Sequence, residues 1–68
     1  MRGPTTLYLL PRLAELRKAQ FMTQSDLATK AGLSKTAITA LETGKRAKPE
    51  TVKKLAEALG ISREELVK

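Results

Sequence analysis

The sequence has 68 residues, 41% of them hydrophobic, and a formal net charge of +6. That describes one small domain near the lower size for a self-sufficient core, too apolar for a disordered tail and cationic enough to prefer a polyanion. It has no cysteine and no histidine, which excludes disulfide staples, most zinc sites and most nucleophile–base pairs. Residues 1–6, MRGPTT, read as a frayed start. TLYLL follows and reads as an extended segment or short strand, or as a loose segment packed on the first or last helix. Pro11 suits the first position of a helix, and Leu13, Leu16 and Ala19 form a helical stripe over residues 11–20. Thr23-Gln-Ser-Asp26 has the form of a capping box opening a second helix, with Leu27, Ala28 and Ala31 on its buried face. Gly32 ends it in the left-handed conformation. Ser34 caps a third helix whose apolar side is Ala37, Ile38 and Leu41 and whose outward side is Lys35, Thr36, Thr39, Ala40 and Thr43. Gly44 stops it. Pro49 starts a fourth, with Val52, Leu55, Ala56 and Leu59 at i, i+3, i+4, i+7. Gly60 ends that helix, and Ser62 with Glu65 forms a second capping box for a fifth.

The expected core is Leu13, Leu16, Met22, Leu27, Ala28, Ala31, Leu33, Ile38, Leu41, Val52, Leu55, Leu59, Ile61 and Leu66. The charge is concentrated. Residues 30–54 hold Lys30, Lys35, Lys45, Arg46, Lys48, Lys53 and Lys54 against only Glu42 and Glu50, which is most of the net charge. The acids are scattered over helix surfaces, so no enzyme active site, metal site or cofactor is expected. No apolar run is long enough to cross a bilayer, and MRGPTTLYLLP is too short and interrupted for a signal peptide, which favours a cytoplasmic protein. With Tyr8 and Phe21 as its two aromatics, the chain has little material for stacking on single-stranded bases.

A helix, a glycine-containing turn and a second helix make a helix-turn-helix. Residues 12–67 resemble the helix-turn-helix domain of the Cro/repressor (Xre-like) family. The pattern that carries the resemblance is TQ-x-x-LA-x-x-AG-x-S-x-x-x-I-x-x-LE-x-GK, running from Thr23 to Lys45. The resemblance implies an all-α, compact five-helix domain over residues 11–68, preceded by a leader over residues 1–10. It also implies a small bacterial or phage transcriptional regulator, repressor-like, whose third helix enters the major groove of double-stranded DNA. Carried over, Lys35 and Thr36 would meet bases first, with Thr39 and Ala40 one turn on. Lysine can donate to guanine, and the methyls of threonine and alanine can touch a thymine methyl. Thr23, Gln24, Ser34, Thr43, Lys45 and Arg46 would face phosphates. For Thr23 capping alone is a sufficient role, and Lys48 reads as a solvated charge. Arg17 and Glu42 occupy family positions that form a structural salt bridge behind the third helix, and Gly32 is structural as well.

Selective binding by so small a unit implies a homodimer on two half-sites, with no small-molecule ligand and no membrane. The apolar candidates for its interface are Ile61, Leu66, Val67 and the TLYLL leader; as a strand, the leader would pair across a two-fold axis. Phe21 stands where the family commonly has glycine or a polar residue. It reads as an exposed aromatic, as a patch for a protein partner, or as a lid over the core. The alternative function is an antitoxin-type module that neutralises a partner protein and keeps the DNA-binding fold.

Overall fold

The computed structural model describes residues 6–67; the frayed start expected at the N-terminus lies almost wholly outside them. Among the described residues there are five helices: α1 (Leu13–Ala19), α2 (Gln24–Ala31), α3 (Lys35–Glu42), α4 (Pro49–Leu59) and α5 (Arg63–Val67). α2 packs against both α3 and α4, α4 carries α5, and α1 lies against α3. The fold is all-α, and among the described residues no helix is long and apolar enough to cross a membrane.

Local chemistry sets most of the boundaries. Thr23 Oγ1 accepts from the Asp26 backbone N–H, and Asp26 Oδ2 accepts from the Thr23 N–H, both at 3.0 Å. This reciprocal box satisfies two of the donors that every helix start leaves free. Those hydrogen bonds, the backbone one foremost, hold the Asp26 carboxyl below its ordinary range. At the other end of α2, Gly32 sits at φ 72° and ψ 33°, and the Leu33 N–H reaches back to the Ala28 carbonyl at 2.8 Å. That closes a turn in the left-handed region, where a side chain is strained even though open space surrounds the glycine. Ser34 Oγ accepts from the Ala37 N–H at 3.1 Å and starts α3. Pro49 takes the first position of α4.

Three expectations need correction. α1 begins at Leu13 rather than Pro11, because Pro11 and Arg12 form a turn that the Leu13 N–H closes on the Leu10 carbonyl at 3.2 Å. Ala19, placed on the buried stripe by its spacing, is exposed at the end of that shortened helix. The capping box at α5 is only half formed: Ser62 Oγ accepts from the Glu65 N–H, but the Glu65 carboxylate accepts from Arg12 Nη1 at 2.8 Å instead. A cation across the fold outcompetes the local N–H.

Leu13, Leu27, Ile38, Leu55 and Leu66 are the largest fully buried side chains. Burying a leucine or isoleucine contributes about 1.5–3 kcal/mol, so this group from five different helices fixes their mutual positions. Leu16, Met22, Leu33 and Ile61 are only partly buried, whereas Leu10, Ala47, Ala56 and Ala58 join the core. Leu66 is fully buried within its own chain, so it is not available to a dimer interface; Leu7 and Leu9 expose nearly half their surface. The leader is pinned inside the chain. Tyr8 and Ala47 exchange two backbone hydrogen bonds of 2.8 Å as one antiparallel bridge, and Leu10 then enters the core. The loop after α3 is thereby tied at Ala47, which leaves Lys45, Arg46 and Lys48 on the surface.

Candidate nucleic-acid interface

α3 divides along its length. Ile38 and Leu41 are buried at 0% and 5% exposure, while Lys35, Thr36, Thr39 and Thr43 are exposed and Ala40 is half-buried. The split follows from the 3.6-residue period: Ile38 and Leu41 are three apart and share the inner face. Immediately beyond, exposed Lys45, Arg46 and Lys48 add a cationic edge. Ser34 and Thr23, both exposed, stand at the first turns of α3 and α2. Because each uses its oxygen as acceptor in the cap, its hydroxyl hydrogen remains free.

Behind α3 lies a hydrogen-bonded hub. Arg17 Nε lies 2.6 Å and Nη2 lies 3.2 Å from the two Glu42 carboxylate oxygens, and both side chains are only 9% exposed. Arg17 Nη1 also donates to the Met22 carbonyl at 2.8 Å. Burial by itself would push the Glu42 carboxyl up. The hydrogen bonds from Arg17 and Gln24, with the charges of Arg17 and Lys18, outweigh that and hold it below its ordinary range. The hydrogen bond to Glu42 is also the main reason the Arg17 guanidinium is raised. The hub therefore stays ionised at neutral pH and braces the end of α3 against α1.

Gln24 belongs to this hub as much as to the outer face. Its Nε2 donates to Glu42 Oε1 at 2.9 Å, and its Oε1 accepts from Thr39 Oγ1 at 3.0 Å. The carboxylate, which can only accept, sets the orientation of the amide. One N–H of Gln24 stays uncommitted. Thr39 Oγ1 also lies 3.1 Å from the Lys35 carbonyl, and Thr43 donates its hydroxyl to the Ala40 carbonyl at 2.9 Å. No sequence spacing marks the Gln24–Thr39 link; it exists because α2 and α3 cross at that point.

Phe21 is 94% exposed and sits at φ 59°, the one non-glycine residue with positive φ among those described. The Phe21 N–H bonds the Lys18 carbonyl, and the Met22 N–H reaches the Arg17 carbonyl at 3.2 Å. This is the same closing turn that Gly32 makes after α2, with phenylalanine in the glycine position. The lid reading is thereby excluded.

The geometry agrees with what comparison finds. A helix-turn-helix family model matches residues 13–66. The chain belongs to the helix-turn-helix family, in its Cro/repressor branch. It is 47% identical over 58 residues to the HTH-type transcriptional repressor RghR of Bacillus subtilis, covering 82% of this chain and 43% of that protein. The chain thus spans less than half the length of the curated relatives it matches. Among solved structures it resembles the restriction-modification controller protein C.AhdI from Aeromonas hydrophila, with TM-score 0.81 and 36% identity over 85% of this chain and 89% of that one. It shares its fold with the biofilm regulator SinR, solved in complex with DNA, at TM-score 0.80 and 24% identity over 88% of this chain and 98% of that one.

Proposed function

We propose that this chain is the DNA-binding unit of a transcriptional regulator of the repressor type and acts by binding rather than by catalysis. The carrying observation is the division of α3, whose apolar residues are sealed inside while Lys35, Thr36 and Thr39 project beside a cationic loop. An exposed helix with a supported base fits the major groove of B-DNA, where its N-terminal residues meet base edges. Lys35 and Thr36 make the first base contacts and Thr39 and Ala40 the next. Thr23, Ser34 and Gln24 each retain a free donor for a phosphate oxygen, and Lys45 and Arg46 supply charge at the other edge. Thr43 stands on that edge too, but its hydroxyl hydrogen already goes to Ala40.

The names of the relatives as transcriptional regulators support this reading over neutralisation of a protein partner. Two copies on half-sites about one helical turn apart would give the selectivity that a single unit lacks. A cytoplasmic location follows from such a partner; the helical domain runs from near residue 11, with the end of the leader packed onto it through Tyr8 and Leu10.

Selection of duplexes from a random library tests this. The wild-type chain should enrich a motif, and Lys35→Ala should lose preference at one base pair while retaining non-specific binding. Lys45→Ala should weaken all duplexes alike and flatten the slope of log affinity against log salt by about one. Failure to retain any duplex at low salt overturns the reading.

A further inference from the structure

The loop after α3, Lys45-Arg46-Ala47-Lys48, is held in its course from outside the helix-turn-helix. Its two ends are fixed locally. The Lys45 N–H donates to the Ala40 carbonyl at 3.0 Å, and the Lys48 carbonyl accepts from the Val52 N–H at 3.0 Å as α4 begins. Between them, Arg46 makes no backbone–backbone hydrogen bond among the described residues. Nor does α3 fill the space beside the loop: a cleft of about 230 Å³ separates it from Leu33, Ala37 and Leu41. The remaining backbone anchor is Ala47, whose N–H and C=O both pair with Tyr8 at 2.8 Å. Ala47 is 3% exposed, so without Tyr8 its polar groups would stay unpaired or the loop would lift to reach water. Tyr8 is delivered by Leu10, buried two residues on, while the alternation of an extended chain leaves Leu7 and Leu9 outside.

We propose that the leader is a positioning element of the DNA interface: the Tyr8 backbone holds the Lys45–Lys48 loop in place, so that it raises affinity for any duplex and leaves sequence preference to α3. The inference rests on the DNA-binding reading above. Lys45 and Arg46 can meet phosphates together only when the backbone beneath them is ordered. A loop ordered in the free protein is spared that cost on binding. Ordering the backbone of one residue is worth about tenfold in affinity.

Tyr8→Pro in the full chain tests this, because it removes the N–H that pairs with the Ala47 carbonyl. Affinities for a selected duplex and an unrelated one are measured by fluorescence anisotropy across salt concentrations. Both should fall about tenfold. The recovered motif should not change, nor should the slope of log affinity against log salt, since the same charges reach the phosphates once the loop is ordered. Tyr8→Ala drops the ring but keeps both backbone groups, and should retain most of the affinity that Tyr8→Pro loses. In a Lys45→Ala/Arg46→Ala background, Tyr8→Pro should have no further effect on affinity. Amide hydrogen exchange reports the loop itself: Ala47 should lose protection in Tyr8→Pro while Leu41 and Leu55 keep theirs, which also shows that the fold is intact. Should Tyr8→Pro melt, a synthetic chain with an ester in place of the Tyr8 amide deletes the donor alone and should show the same loss. Unchanged duplex affinity, a flattened salt slope, or an equal loss in the Lys45→Ala/Arg46→Ala background overturns the proposal while DNA binding stands. If the wild-type chain retains no duplex at low salt, both readings fall together.

Discussion

Arg17–Glu42 and Arg12–Glu65 are the same two side chains at similar distances, 2.6 and 2.8 Å, in different surroundings. The first pair is 9% exposed at both partners, is bonded through two nitrogens and shares its carboxylate with Gln24. The second is 36% and 43% exposed, and Arg12 also lies 3.6 Å from Glu15. Water solvates the outer pair whether or not it is made, so its net contribution is small. The inner pair has exchanged water for fixed partners, and removing one leaves the other buried and uncompensated. What matters is therefore how completely each charge depends on the other, and only the pair that supports α3 has that dependence.

Truncation gives the largest difference. Arg17→Ala should lower folding stability by about 3 kcal/mol or more, because Glu42 loses its countercharge and keeps only the Gln24 donor, while the Met22 carbonyl loses the Arg17 donor; urea unfolding measures it, and a loss below that of Arg12→Ala would reverse the comparison. Acid should distinguish the pairs next. Glu42 is held below its unfolded value, so its contribution is complete above about pH 4.3 and is lost as pH falls through the folded-state value. The arginines remain charged throughout. Asp26 moves in the same direction, and the part belonging to the hub is what Glu42→Gln removes from the pH profile of the urea midpoint. Phe21→Gly sharpens the view from the neighbouring turn. It should raise stability by about 1 kcal/mol, as relief of the left-handed strain outweighs the added freedom of the unfolded chain. Gly32→Ala, at the equivalent turn, should lower it by about 1 kcal/mol, and thermal melts of the two variants should shift in opposite directions. Arg12→Ala should cost under about 1 kcal/mol. Raising salt to 1 M should remove much of even that while leaving the Arg17 truncation penalty largely intact.

Much of this fold can be read from local signals. The Thr23 box, the Ser34 cap, the Gly32 turn and Pro49 at the start of α4 act over three or four residues, where propensity and hydrogen bonding decide. The start of α1 escapes such reading because Pro11 is equally at home in a turn, and the packing of Leu10 chooses between them. Glu65 escapes because its competitor Arg12 is 53 residues away. The outer face of α3 follows from the periodicity of Ile38 and Leu41; which atoms of that face are free does not, since Thr39 and Gln24 meet only when two helices cross.

The order and kind of the helices, the joints between them and the sign of the charge near α3 belong to the sequence, because each arises between neighbours along the chain. The tertiary structure decided the rest: that Glu42 stays ionised though shielded, that the leader closes on Ala47, and that Thr39 turns its hydroxyl inward. These depend on groups far apart in sequence whose competition for hydrogen bonds is settled only once water has been excluded from between them.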